Sequence, residues 1–139
     1  MKSKIPEVLG SIIGSKCFTA ETAAGGTLVL GFEKVGNAGC CGSSHWRFQT
    51  ETCSWRIMYN DKILCGSGDE EIHIEGFLQK LIGEKLISIE RISPFDIVFI
   101  FMGGMEIQLL SQSKGRDCFN ILSPEESCIT FSPAGGWFE

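Results

Sequence analysis

Residues 9–32 and 78–101 align without a gap at a constant offset of 69, and this internal repeat constrains the fold more than any motif does. Leu9/Leu78, Ile13/Ile82, Gly14/Gly83, Lys16/Lys85, Glu21/Glu90, Val29/Val98 and Phe32/Phe101 are identical, seven matches in 24 columns. Seven of the other 17 columns pair apolar with apolar, as in Ile12/Leu81, Phe18/Ile87, Leu28/Ile97 and Leu30/Phe99. The pattern reads as one structural unit written twice, with repeats at about 6–67 and 75–132 of a single domain, 1–139. Halves of roughly 65 residues would be marginal alone, so the two are expected to share a core that buries about two-thirds of the unfolded surface.

Each repeat is expected to open with about two turns of amphipathic helix. In 6–14 a proline stands near the start, Val8, Leu9, Ile12 and Ile13 fall on one side, and Gly14 is placed to end the turn. Phe77, Leu78, Leu81, Ile82 and Gly83 give the same pattern later. Short runs rich in β-branched and aromatic residues follow, broken by Gly, Asn, Asp, Pro and Ser, as consecutive antiparallel strands require. They predict strands at 16–21, 27–33, 46–50, 54–59 and 63–65, then at 85–92, 97–102, 106–110, 118–122 and 128–131. Asn60-Asp61 suits a tight turn. Residues 97–102 are apolar throughout, which predicts a strand covered on both faces.

The fold class expected is therefore α+β, mainly β. Two repeated helix-plus-antiparallel-strand units, related by pseudo-twofold symmetry, would form one sandwich or partly closed barrel. Laying Trp55-Arg56-Ile57 on Phe119-Asn120-Ile121 shortens the offset to 64, so about five extra residues fall in the glycine- and cysteine-rich stretch 36–45. Loops carry function more often than the elements they join, so this asymmetry is a candidate site.

Composition excludes several classes. The longest apolar run, 97–102, is far shorter than the roughly 18 residues of a membrane span, and Glu7 and Gly10 interrupt any apolar signal core. Seven cysteines at irregular spacing fit reduced thiols, hence a cytoplasmic protein. Twelve basic residues against 17 acidic give a net charge of −5, which disfavours nucleic acid and anionic membranes and favours a basic protein partner.

Soft ligands at Cys40, Cys41 and His45 could contribute to a metal site, with a fourth ligand from His73, Cys53 or Cys65, but adjacent cysteines do not easily reach one tetrahedral ion. A nucleophilic cysteine would need His45 or His73 as its base, and nothing nearby forms a nucleophile turn. Cys17, Cys53, Cys65, Cys118 and Cys128 read as small buried residues in strands. Gly10 to Lys16 has the wrong glycine spacing for a phosphate loop. Asp69, Glu70 and Glu71, with Glu75, form the densest acidic run, fit either to steer a basic partner or to cap the second helix. Trp46, directly after the asymmetric loop, would anchor an interaction surface if exposed.

The Leu-x-x-Ile-Gly helix, the alternating strands, Trp55-Arg-Ile57 and the second unit ending Leu81-Ile-Gly83 resemble small bacterial β-rich duplicated proteins of unknown function, some thought to be toxin-immunity proteins. The resemblance implies an inhibitor and carries over no catalytic residue. The expected function is a non-enzymatic cytoplasmic binding protein, an immunity-like inhibitor of a basic partner, with no cofactor. The rival reading is a small-molecule or metal binder, or an enzyme, built on the 36–45 loop. Monomer and homodimer fit the sequence equally, since a second copy could cover a strand edge.

Overall fold

Burial alternates along residues 45–50, 53–59, 106–111 and 119–122 with the period of two that puts one face of a strand on a core. In the computed structural model the described residues are 6–33, 45–133 and 136–138. The chain opens with a 3-10 turn, Glu7–Ser11, and continues through β1 (Cys17–Ala23), a short 3-10 turn (Ala24–Gly26), β2 (Thr27–Glu33), β3 (His45–Thr50), β4 (Cys53–Tyr59) and β5 (Lys62–Gly66). Then come α1 (Glu71–Leu78), a 3-10 turn (Gln79–Leu81), β6 (Leu86–Ser93), β7 (Asp96–Phe101), β8 (Glu106–Ser111), β9 (Phe119–Leu122), β10 (Cys128–Ser132) and β11 (Gly136–Phe138).

These strands form two antiparallel sheets, ordered β1-β2-β3-β9-β10-β11 and β5-β4-β8-β7-β6. Both sheets draw strands from both halves of the sequence. The chain leaves the six-stranded sheet after Thr50, and β4 pairs instead with β8. Later it crosses back, and β9 pairs with β3. Separate halves would leave both sheets incomplete, so the halves share one core.

That core is aromatic where the sheets meet. Phe32 of β2 stacks on Phe101 of β7 with centroids 6.2 Å apart, and Phe99 of β7 lies 5.0 Å from Phe48 of β3 and 6.0 Å from Phe119 of β9. Aromatic pairs at such spacings add to the stabilisation from burial itself. Polar clasps cross between the sheets as well: the Trp55 indole N–H donates to the Gly26 carbonyl at 2.9 Å. Within the six-stranded sheet, buried Thr50 accepts the Leu28 amide at 2.9 Å. At one end the sheets are joined by an isolated bridge between Lys16 and Lys85. Gly14 N–H donates to Leu86 O, Leu86 N–H to Ser15 O, Cys17 N–H to Glu84 O and Gly83 N–H to Cys17 O. Gly14 and Gly83 hold φ of +92° and +93°, a region that favours glycine.

The expected strand positions match closely, and the all-apolar segment is β7, the inner neighbour of β6 and β8. Asn60 and Asp61 form the two-residue turn between β4 and β5, both at positive φ, which short Asx side chains tolerate.

The expectation of two helix-plus-strand units related by a twofold and closed as a sandwich or partial barrel is overturned. Among the described residues there is one short α-helix, and the opening segment is only a five-residue 3-10 turn. Gly10 lies within that segment, which is too short to repay α-helix nucleation, so it stops at the tighter turn. The strands are not partitioned by repeat, and the two antiparallel sheets do not close into a barrel.

Candidate functional site

The acidic run that sequence reading placed in a connection builds the start of α1. Asp69 accepts the Gly66 amide through Oδ2 at 2.8 Å and so closes the turn after β5. Glu70 occupies the N-cap position with extended backbone, its carbonyl receiving the His73 and Ile74 amides. Glu71 lies in the first turn, where a carboxylate meets the positive end of the helix dipole. Thr22 of β1 donates to Glu71 Oε1 at 3.4 Å, which ties the helix to the end of that strand.

Helical spacing then sorts the side chains. Ile74 and Leu78, four apart, face inward and are buried. Ile72, Glu75, Gly76 and Gln79 face outward, and with Ala20, Glu21 and Thr22 they line a groove of about 520 Å³ between α1 and β1. Ile72 is 73% exposed there. Lys80 holds its ammonium 5.2 Å from the Phe77 ring centroid. Among the described residues Glu21, Glu71 and Glu75 have no Lys or Arg paired with them. The result is an exposed apolar side chain in a groove that also carries the Glu21 and Glu75 carboxylates, a combination that can hold a basic segment by charge and contact.

A second groove, about 330 Å³, runs between the opening 3-10 turn and β6, lined by Pro6, Glu7, Leu9, Ile13, Ile87 and Ile89 among others. A third, about 670 Å³, lies where the chain turns between Phe95 and Asp96 and after β8, with Ser111, Gln112, Lys114 and Pro133 on its wall.

The asymmetric loop contributes less. Cys40 and Cys41 lie outside the described residues. His45 begins β3 opposite Glu33, its ring edge-on to Phe18 at 5.2 Å. Trp46 is 2% exposed, so it is a core residue and not the surface anchor that its position after the loop suggested. His45 is not brought to the acidic residues. It touches Phe18, and Phe18 and Thr22 stand four residues apart on β1, roughly 13 Å at the rise of a strand. Among the described residues no group of three or more His, Cys, Asp or Glu side chains is placed to hold a metal ion.

The cysteines divide by environment. Cys17 is fully buried, and burial pushes its thiol up to about 12; its S–H donates to the Thr19 carbonyl at 3.3 Å. Cys65 and Cys118 are buried, Cys53 is half-buried, and Cys128 is exposed, against the expectation that all five are interior. The neighbouring Cys118 thiol, together with burial, pushes the Cys53 thiol up, whereas Cys53 holds Cys118 below the usual thiol range.

Sequence reading missed Glu21, Thr22 and Ile72 as groove residues and Cys53 with Cys118 as a pair. Spacing along α1 could have placed Ile72 beside Glu75, but nothing local could place β1 opposite the helix. The chain matches no protein-family model, no curated protein and no solved structure. Among the described residues no helix is long and apolar enough to cross a membrane.

Proposed function

We propose that this chain is a non-enzymatic binding protein, an immunity-like inhibitor whose α1–β1 groove receives a basic segment of a partner protein. One observation carries the reading: Ile72, 73% exposed, stands in a groove lined by Glu21 and Glu75. An isoleucine so exposed gains from being covered, and the surrounding carboxylates select what covers it. The net charge of −5 extends the same preference over long range, where complementary charge speeds encounter and rejects acidic competitors. The resemblance to small duplicated bacterial proteins, some thought to be immunity proteins, agrees with this role. The free thiols among the described cysteines support placing it in the cytoplasm.

The test is a titration with a fluorescent Lys- and Arg-rich peptide carrying two leucines, at low and at physiological salt. Binding by the unaltered protein, weakened by salt and weakened at least about tenfold by Glu21→Lys with Glu75→Lys, is the expected result. Glu7→Lys, in the other helix–strand groove, should leave affinity unchanged. Equal affinity in all three proteins, or no binding, would overturn the reading.

A further inference from the structure

We propose that the groove of about 670 Å³ beside Phe95 is a small-molecule site, and that its ligand is a free aromatic α-amino acid bound as the zwitterion. This groove is separate from the one between α1 and β1, and its ligand does not depend on the partner reading.

Three connections converge to form it. The turn between β6 and β7 supplies Phe95 and Asp96, the chain leaving β8 supplies residues 111–114, and the end of β10 supplies Pro133. Hydrogen bonds fix this corner. The Ser93 hydroxyl accepts the Phe95 amide at 3.1 Å and donates to Asp96 Oδ2 at 3.0 Å. The Ser111 amide donates to Asp96 Oδ1 at 2.9 Å, and the Ser111 hydroxyl donates to the Phe95 carbonyl. Arg91 donates to the Pro94 carbonyl at 2.8 Å. The turn and the segment after β8 are thus one frame, so a ligand enters a formed site and does not have to order it.

Three properties of the lining select the ligand. First, Phe95 leaves 54% of its surface exposed although its own N–H and C=O are both bonded, and Pro133 lines the same groove. A flat apolar body covers both, and Pro133 loses no rotamer freedom when it is covered. Second, Lys114 lines the groove, and among the described residues no carboxylate pairs with it. Third, each oxygen of Asp96 accepts one hydrogen bond from the frame and retains a further acceptor position.

An ammonium and a carboxylate therefore share one groove without an ion pair between them. A ligand carboxylate matches Lys114, and a ligand ammonium matches Asp96. A ligand with only one charge leaves the opposite group of the protein covered and unmatched, and also meets the like charge. An aromatic α-amino acid joins both charges to a flat apolar body, and the groove lies in the size range of small-molecule sites.

The experiment titrates the isotope-labelled full chain with L-phenylalanine, 3-phenylpropionate and phenethylamine in separate series and follows the backbone amide shifts by NMR. The expected result is saturable shifts at residues 95–96 and 111–114 with L-phenylalanine, at a Kd on the order of 1 mM or tighter, and at least about tenfold weaker binding of either singly charged analogue. Lys114→Met keeps the apolar stem and removes the charge. It should weaken L-phenylalanine at least about fivefold and leave phenethylamine no weaker. Phe95→Ala, at an exposed position, should weaken L-phenylalanine at least about tenfold. No saturation by about 10 mM L-phenylalanine would overturn the proposal, as would equal affinity for all three compounds or shifts confined to another surface. These three readings come from the unaltered protein and depend on no variant folding.

Discussion

The two grooves beside the edge strands β1 and β6 differ in the one property that does not concern folding. Each lies between a sheet edge and a helical segment, and each helical segment drives a leucine inward, Leu9 at 1% exposure and Leu78 at 0%. Such coverage protects an edge that would otherwise invite pairing with another chain. The β6 groove is walled by Pro6, Ile13, Ile87 and Ile89 with Glu7 as its one acidic residue, while the β1 groove carries Glu21 and Glu75 around Ile72. Packing accounts for the buried leucines in both and for neither set of outward residues.

The strongest way to break this comparison is to remove the shared part. Leu9→Ala and Leu78→Ala should each cost about 2–5 kcal/mol in urea unfolding, because each deletes a fully buried side chain. A cost near zero for Leu9→Ala would mean that the opening turn is an ornament and the two grooves are not comparable.

A chemical asymmetry sharpens it further. β1 begins with Cys17, whose thiol burial pushes from 9.0 to about 12, whereas β6 begins with the untitratable Leu86. Above pH 9 the unfolded chain releases this proton and the folded chain keeps it, so the contribution is whole below pH 9 and is lost as pH rises toward about 12. The slope should be about 1.4 kcal/mol per pH unit. Urea midpoints between about pH 8 and about pH 10.5 should fall less steeply in Cys17→Ala than in the unaltered protein, although the variant starts from lower stability. Equal slopes would show that β1 does not hold the proton as its burial implies.

The smallest effect is the most telling for function. Glu21→Gln and Glu75→Gln should each move stability by no more than about 0.5 kcal/mol, because exposed carboxylates without partners contribute little to folding. A loss of several kcal/mol in either would make these residues structural and remove the contrast between the grooves.

Much of the local structure was legible. Residues 27–33 read as a strand and form β2 with those same limits, since a run of β-branched and large apolar residues that follows Gly25-Gly26 has few alternatives. Residues 136–138 did not read as a strand, because the glycines beside Trp137 and Phe138 mask the pattern, yet Trp137 packs edge-on to Phe119 and Phe131. The second helix was expected to start near Phe77 and starts at Glu71, six residues earlier, where the acidic run looked like a linker. Of the candidate site, Asp69, Glu70 and Glu71 were legible as an acidic cluster. Glu21 was invisible, being far away in sequence and brought close only when β1 and α1 pack together.

What the sequence determined by itself is where strands and turns fall, because side-chain alternation, Asn60-Asp61 and the glycines at 14 and 83 act over a few residues. Only the tertiary structure decided which sheet each strand joins. The hydrogen-bonding capacity of β4 would serve either sheet equally, and its place beside β8 follows from burying Trp55 and Ile57 in a core that both halves must complete together. The packing of β1 against α1 is likewise tertiary, so the proposed groove arises from contacts between residues far apart in the chain, which no local pattern records.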